Sequence, residues 1–235
     1  GSAARALSIP LGRARLPIEI VMWSVIFIIL VLPMLGLLAT SLVPAYGVPL
    51  RWDTLSLEGW YEALFRQPAT TRAFMNSLSL SIGAALLLVV LCLPLVWLME
   101  RYPTALGRLF NSLLDLPYAL PGVVLAIAMI LLLVKLPYTS YTLYGTIWII
   151  FLAYLARFFA VMFRPLQSSL KQLDPAMNEA AQSVGASLPR RLRDIILPLT
   201  APSAAAGAIL VFLTAFNELT VSALLWSSGT ETLGV

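Results

Sequence analysis

From Ile18 to Leu42 the chain carries a single charge, Glu19, and four further apolar runs of comparable length follow it. A bilayer hydrocarbon core about 30 Å thick takes roughly 20 apolar residues in helical form. The runs Leu78–Met99, Leu113–Val134, Tyr141 to about Phe163 and Leu199–Leu225 satisfy that length, the last punctuated by Pro202. Inside lipid every backbone N–H and C=O must find a partner within its own segment, so these runs predict helices. With 60% of 235 residues hydrophobic and only 11% charged, the chain is too poor in charge to cover a water-soluble surface of this size. The expected fold class is therefore all-α and integral to a membrane: a polytopic helical bundle with five visible spans.

Basic residues fall unevenly about these runs. Arg5, Arg13 and Arg15 precede the first, Arg101 and Arg108 follow the second, and Arg157, Arg164, Lys171, Arg190, Arg191 and Arg193 gather at and after the end of the fourth. On the opposite side stand only Arg51, Arg66, Arg72 and Lys135. The positive-inside rule then makes residues 1–17 a cytoplasmic tail and puts the segment 164–198 in the cytoplasm as well. This placement accounts for the net charge of +4 without a nucleic-acid partner. Residues 18–235 form the transmembrane domain, and the tail "SSGTETLGV" is left on the outer side, where a sixth span is expected to follow. The outer loop from Val43 to Asn76 holds Trp52, Trp60, Tyr61, Leu64 and Phe65, a pattern suited to a short helix resting at the membrane interface.

Several chemistries are excluded by residue type. Histidine is absent, which removes His-based triads and His-ligated metal centres; the one cysteine, Cys92, lies in an apolar run and reads as a small buried side chain. The only lysines, Lys135 and Lys171, do not follow a glycine, so no phosphate-binding P-loop exists and the chain is not expected to hydrolyse ATP.

Between the fourth and fifth runs lies "NEAAQSVGASLPRRLRDIILPLTAP", charged and helical in period. Asp174 suits an N-cap and Pro175 the first helical position, where its missing N–H is no loss. Met177, Ala180, Ala181 and Val184 form one apolar stripe, and Gly185 falls where a left-handed residue ends a helix. A second stripe, Leu188, Leu192, Ile195 and Ile196, follows, with Arg190, Arg191, Arg193 and Asp194 facing away and Pro198 closing the helix. The stripe of alanines would let the first helix sit deep in a groove of another protein. A loop resting on the membrane surface shares the same periodicity.

Glu179-Ala180-Ala181, Gly185, Ile195 and Leu197-Pro198 occupy seven positions over twenty residues. This pattern resembles, at every fixed position, the E-A-A signature of permeases of binding-protein-dependent ABC importers of type I. The order of the spans is also similar, although the family's usual sixth span is not present. The resemblance implies that Glu179, Ala180 and Ala181 dock in a cleft of a separate cytoplasmic ABC ATPase, working as a dimer, with Gly185 the bend and Ile195, Leu197 and Pro198 the return to the membrane. It also implies ATP and Mg on that ATPase rather than on this chain, a second transmembrane half as homologous subunit or fused half, a periplasmic or extracellular solute-binding protein, and a bacterial inner membrane location.

Polar groups within apolar spans mark a possible translocation pathway: Ser81, Asp115, Asn217, Glu218 and Thr220. The serines, Ser77 and Ser79 included, equally suit helix packing, and Glu218 an interfacial or structural carboxylate. Glu218 lies twenty residues beyond Pro198, roughly 30 Å along a straight helix and so towards the outer side; Asp115 lies towards the cytoplasm. Almost no charge is expected at mid-membrane depth, which disfavours an ion-coupled secondary transporter. The stretches "PYALPGVVLAIAMILLL" and "FLTAFNELTVSALLWSSGTETLGV" are similar to the subgroup of ferric-iron permeases and their phosphonate, thiamine and polyamine relatives. Ferric iron is the first expectation for the cargo, carried by oxygen ligands since no Cys or His is suitably placed.

Overall fold

The computed structural model describes residues 12–45, 47–135 and 141–235, all of whose regular structure is helical. The tail up to residue 11, Arg5 included, lies outside the described residues. The chain divides into two units, residues 1–67 and 68–235.

The first unit holds one span, α1 (Arg15–Ser41), apolar along its length. Its helix widens by a π-type turn at Phe27–Val31, immediately before Pro33. Such a turn supplies the slack that a proline, which has no N–H and a bulky ring, needs to be carried within a helix. The interfacial helix expected in the outer loop forms at residues 58–66 as α2, with Trp60 Nε1 donating to Ser41 Oγ at 3.2 Å.

The second unit is built on three long helices: α3 (Pro68–Arg101), α7 (Ile147–Lys171) and α9 (Leu188–Phe216). α3 begins at Pro68, so the outer loop ends there rather than at Asn76. Lipid offers apolar side chains no solvent to flee, so membrane helices associate through close packing and rely on small residues to allow it. Gly207 and Val211 of α9 are buried on one stripe, and a Cβ at Gly207 would stand 3.0 Å from Met162 Sδ of α7. Gly83 of α3 meets Phe151 in the same way, at 3.2 Å. Leu88, Cys92, Ile149, Ile150, Phe158 and Phe163 fill the spaces that remain, all essentially inaccessible.

Three expected spans are corrected. The third is broken: α4 (Ala105–Leu113) and α5 (Leu116–Ala119) are followed, across a bend of 110°, by α6 (Gly122–Leu133). Pro121 is the cause, because its ring forces Leu120 out of helical geometry, to ψ 142°. The fourth begins at Ile147 and continues past Phe163 to Lys171, so Arg157 lies near its middle rather than at its end. The fifth ends at Phe216; Asn217 to Val221 are non-helical and a single turn, α10 (Ser222–Leu225), follows. Nor does Pro198 close a helix. α9 runs straight through it, with a widened turn at Leu192–Ile196 absorbing the proline as in α1.

The segment after α10 folds back onto α3. Asn76 Nδ2 donates to the carbonyls of Gly229 and Glu231 at 3.1 and 2.9 Å, and the Leu233 amide donates to Ser77 Oγ at 2.9 Å. Arg72 closes the clasp on Glu231 at 3.0 Å.

Candidate functional sites: the charged elbow and a buried ion pair

The elbow takes the local form its sequence dictates. Asp174 accepts from the Ala176 amide at 2.9 Å and caps α8 (Pro175–Ser183), whose first residue is the proline. At its other end Gly185 has φ +77°; its amide donates to Gln182 O at 3.0 Å and the Ala186 amide to Ala181 O at 3.1 Å. That pair of bonds is the Schellman arrangement, which satisfies two carbonyls the helix would otherwise strand. A Cβ at Gly185 would meet nothing within 4 Å, so conformation and not space calls for glycine. Within this unit the apolar stripe is uncovered: Val184 is 82% exposed, Met177 and Ala180 are exposed, and Ala181 is half-buried.

Ile195, with Ile196 and Leu199, lines an open pocket of about 150 Å³, together with Trp97, Leu170 and the elbow's own Met177. Leu197 and Pro198 face outwards on α9. Two contacts here escaped the sequence. Glu179 Oε1 lies 3.9 Å from Arg101 Nη1 at the end of α3, an exposed pair of small energetic weight. Arg191 does not face away with its neighbours; its guanidinium stacks over the Trp97 ring at 5.9 Å.

Asp115 belongs to a polar lock at this end of the bundle. Arg164 of α7 donates to Asp115 Oδ1 and Oδ2 at 3.2 and 2.5 Å, to Asn111 Oδ1 at 2.8 Å and to Gln167 Oε1 at 3.1 Å. Gln167 in turn donates to Glu100 Oε1 at 2.8 Å. The planar fork of arginine suits this multiple grip, which ties α3, α4 and α7 together.

The other expected pathway residues separate. Ser81 is fully buried and donates to Ser77 O at 2.6 Å within its own helix, a packing role. Asn217 is turned back on α9, its Nδ2 donating to Leu213 O at 2.8 Å. Glu218 and Thr220 do come together, and Arg157, expected only as a marker of topology, joins them. Arg157 Nε donates to Glu218 Oε2 at 3.1 Å, the two side chains being 15% and 10% exposed. Thr220 Oγ1 and the Val221 amide donate to Glu218 Oε1 at 2.5 and 3.0 Å. Arg157 also donates from Nη1 to Leu120 O at 3.2 Å, at the break of the third span. Tyr154 Oη reaches the Glu218 carbonyl at 3.3 Å.

Two interrupted helices, α5–α6 and α9–α10, thus meet at one uninterrupted helix, and they touch closely. A Cβ at Gly122 would overlap Thr220 Oγ1 at 1.8 Å. Arg157 is the eleventh residue of α7, about 15 Å from its start and about 21 Å from its end. The pair therefore lies deep along the bundle. It corrects the expectation that almost no charge sits at such depth, while Glu218, paired with Arg157, stays nearer the start of α7 than its end. Arg157 and Arg164 are seven residues apart, on one face of α7, and this spacing was the signal available in the sequence.

The comparisons with known proteins agree with this architecture. Residues 93–234 match the family described as binding-protein-dependent transport system inner membrane component. The Fe(3+)-transport system permease protein FbpB 2 of Haemophilus influenzae is 35% identical over 163 residues, 69% of this chain and 32% of that protein. The spermidine/putrescine transport system permease protein PotB of Escherichia coli is 28% identical over 225 residues, covering 88% of this chain and 78% of the relative. A probable ABC transporter permease of Sinorhizobium fredii, y4fN, is 30% identical over 170 residues, and the chain covers 29% of its length. This chain therefore spans about a third of the length of the Haemophilus and Sinorhizobium proteins. Among solved structures, a bacterial alginate ABC transporter in complex with an alginate-bound periplasmic protein shares the fold, with a TM-score of 0.67 at 17% identity over 94% of this chain and 79% of its own. The chain is an integral membrane protein and belongs to the family of inner-membrane components of binding-protein-dependent transport systems.

Proposed function

We propose that this chain is the transmembrane permease part of an ATP-driven importer. The elbow centred on α8 docks a separate cytoplasmic ATPase dimer, which supplies ATP and Mg, and a second transmembrane half and an external solute-binding protein complete the assembly. The observation that carries this reading is the uncovered stripe Met177, Ala180, Ala181 and Val184, held between an Asp174 cap and a Gly185 bend on a family permease. A helix whose exposed face is mostly methyl groups is suited to a groove and poorly suited to holding the membrane surface. Glu179, exposed on another side of α8, is the acidic member of the docking set, while Ile195, Leu197 and Pro198 carry the chain from the elbow into α9. The N terminus and the elbow would then be cytoplasmic, in a bacterial inner membrane.

Ferric iron is the cargo this reading favours, supported by the similarity to FbpB 2. A polyamine is the second reading, supported by the longer match to PotB. Both are cations. The test is uptake into vesicles containing the chain with its second half, ATPase and binding protein, comparing ferric ion, spermidine and a phosphonate. ATP-dependent accumulation of one of them is expected; copurification of no ATPase through the elbow would refute the permease reading.

A further inference from the structure

We propose that Glu218 is the fixed half and Arg157 the exchangeable half of a cation-exchange site on the transport route, where a cationic cargo takes the guanidinium's place. This rests on the importer reading above and adds the point at which cargo meets protein. The two members of the pair are held very differently. Oε1 of Glu218 is engaged by its own loop, through Thr220 Oγ1 and the Val221 amide, and only Oε2 turns to Arg157. Removing the arginine leaves the carboxylate in place. Arg157, by contrast, hangs on a long flexible stem and bridges two oxygens, Glu218 Oε2 and the carbonyl of Leu120.

A charge this deeply enclosed is strongly destabilised when unmatched, so Glu218 needs a cation at every stage. When the guanidinium withdraws it frees the same two oxygens together, one carboxylate and one carbonyl. That donor set suits an ammonium group or a hard metal ion. An anionic cargo would instead have to displace a carboxylate that three donors hold. The carbonyl is available because Pro121 interrupts the third span, and the carboxylate because α9 ends at Phe216. Interrupted helices meeting inside a bundle place backbone oxygens where ions bind in other transporters.

The experiment uses the complete transporter in vesicles, with ferric ion and spermidine as separate probes. Glu218→Gln is expected to reduce uptake of the transported cation at least ten-fold. Arg157→Gln is expected to lower the half-saturating cargo concentration while slowing turnover, because the pinned carboxylate is left open. The double variant Arg157→Gln with Glu218→Gln separates exchange from mere stapling, since two neutral amides can still hydrogen-bond. It is expected to copurify with the ATPase yet remain unable to import the cation. Uptake restored to near the wild-type rate in the double variant would overturn the proposal. Should the double variant fail to assemble, Arg157→Lys, which keeps an exchangeable cation, must retain uptake, and its complete loss would also overturn the proposal. A wild-type transporter that imports only a neutral or anionic solute would overturn it while leaving the importer reading intact; absence of any ATPase association would defeat that reading instead.

Discussion

Replacing Gly185 by valine separates the backbone demand of the elbow from its packing, because a side chain there meets no atom within 4 Å. The only penalty is conformational. At φ +77° an L-residue pays about 1–2 kcal/mol in the left-handed region, with a β-branched side chain at the upper end. Relief of that strain means giving up the two bonds to Gln182 O and Ala181 O, which straightens or frays the end of α8. If the ATPase binds only the bent form, a loss of 1–2 kcal/mol lowers the bent-to-straight ratio roughly 5–30-fold. The assay is the affinity of the purified ATPase subunit for the permease in vesicles, alongside solute imported per ATP hydrolysed. Valine is expected to weaken docking by about that factor, while asparagine, which tolerates the left-handed region, stays within a few-fold of glycine. Docking by the valine variant equal to wild type, or asparagine as damaging as valine, would refute the argument from backbone conformation.

Gly122→Ala places a methyl group where Thr220 Oγ1 already stands, 1.8 Å away, and should lower the melting temperature in detergent through a loss of about 1–3 kcal/mol; adding Thr220→Gly should recover most of it. Arg164→Lys keeps the charge but loses the fork that grips Asp115 and Asn111 together, and a thermal shift corresponding to about 1–2 kcal/mol is expected, moderated by the exposure of the pair. The Gly229 amide and the backbone of Glu231 itself, then Arg72, hold the Glu231 carboxyl below the usual carboxylate range. A group whose folded pKa is depressed stabilises above its unfolded pKa, so the clasp on α3 should weaken as pH falls through the lowered folded value. Glu231→Gln should flatten this acid limb of the melting-temperature profile, and an unchanged limb would dismiss the clasp.

The elbow was legible because its rules are local. An N-cap, a first-position proline, an i, i+3, i+4, i+7 stripe and a left-handed glycine all act within a dozen residues, and the structure has each of them in place. The apolar runs likewise announced long helices. What the sequence concealed is how the backbone answers each proline and which distant segments meet. Leu113–Val134 reads as an unbroken apolar run, and only the geometry around Leu120 and Pro121 turns it through 110°. Pro198 reads as a stop, whereas a widened turn just before it lets α9 continue. Arg157 and Glu218 lie 61 positions apart, and no periodicity links a residue inside one helix to a carboxylate beyond the end of another.

If the elbow docks an ATPase as proposed, the continuity of α9 would link the two sites mechanically. From Leu188 to Phe216 the helix is 29 residues, about 43 Å, beginning at the elbow and ending just before Glu218. It packs tightly on α7 at Gly207, where an added Cβ would stand 3.0 Å from Met162 Sδ. A rigid helix tilting about that contact has a long arm of about 28 Å towards Leu188 and a short arm of about 13 Å towards Phe216. A displacement of about 4 Å at the elbow then becomes about 2 Å at Glu218, enough to separate a carboxylate from a guanidinium now at 3.1 Å. Had Pro198 broken the helix, the elbow could swing without moving the ion pair, so under the proposed ATPase docking the turn at Leu192–Ile196 is the feature on which transmission would depend. Spin labels on α7 and on the segment after Phe216 should report a change of this size between nucleotide-free and ATP-bound transporter. Equal distances in the two states, with transport intact, would mean that elbow and ion pair move independently.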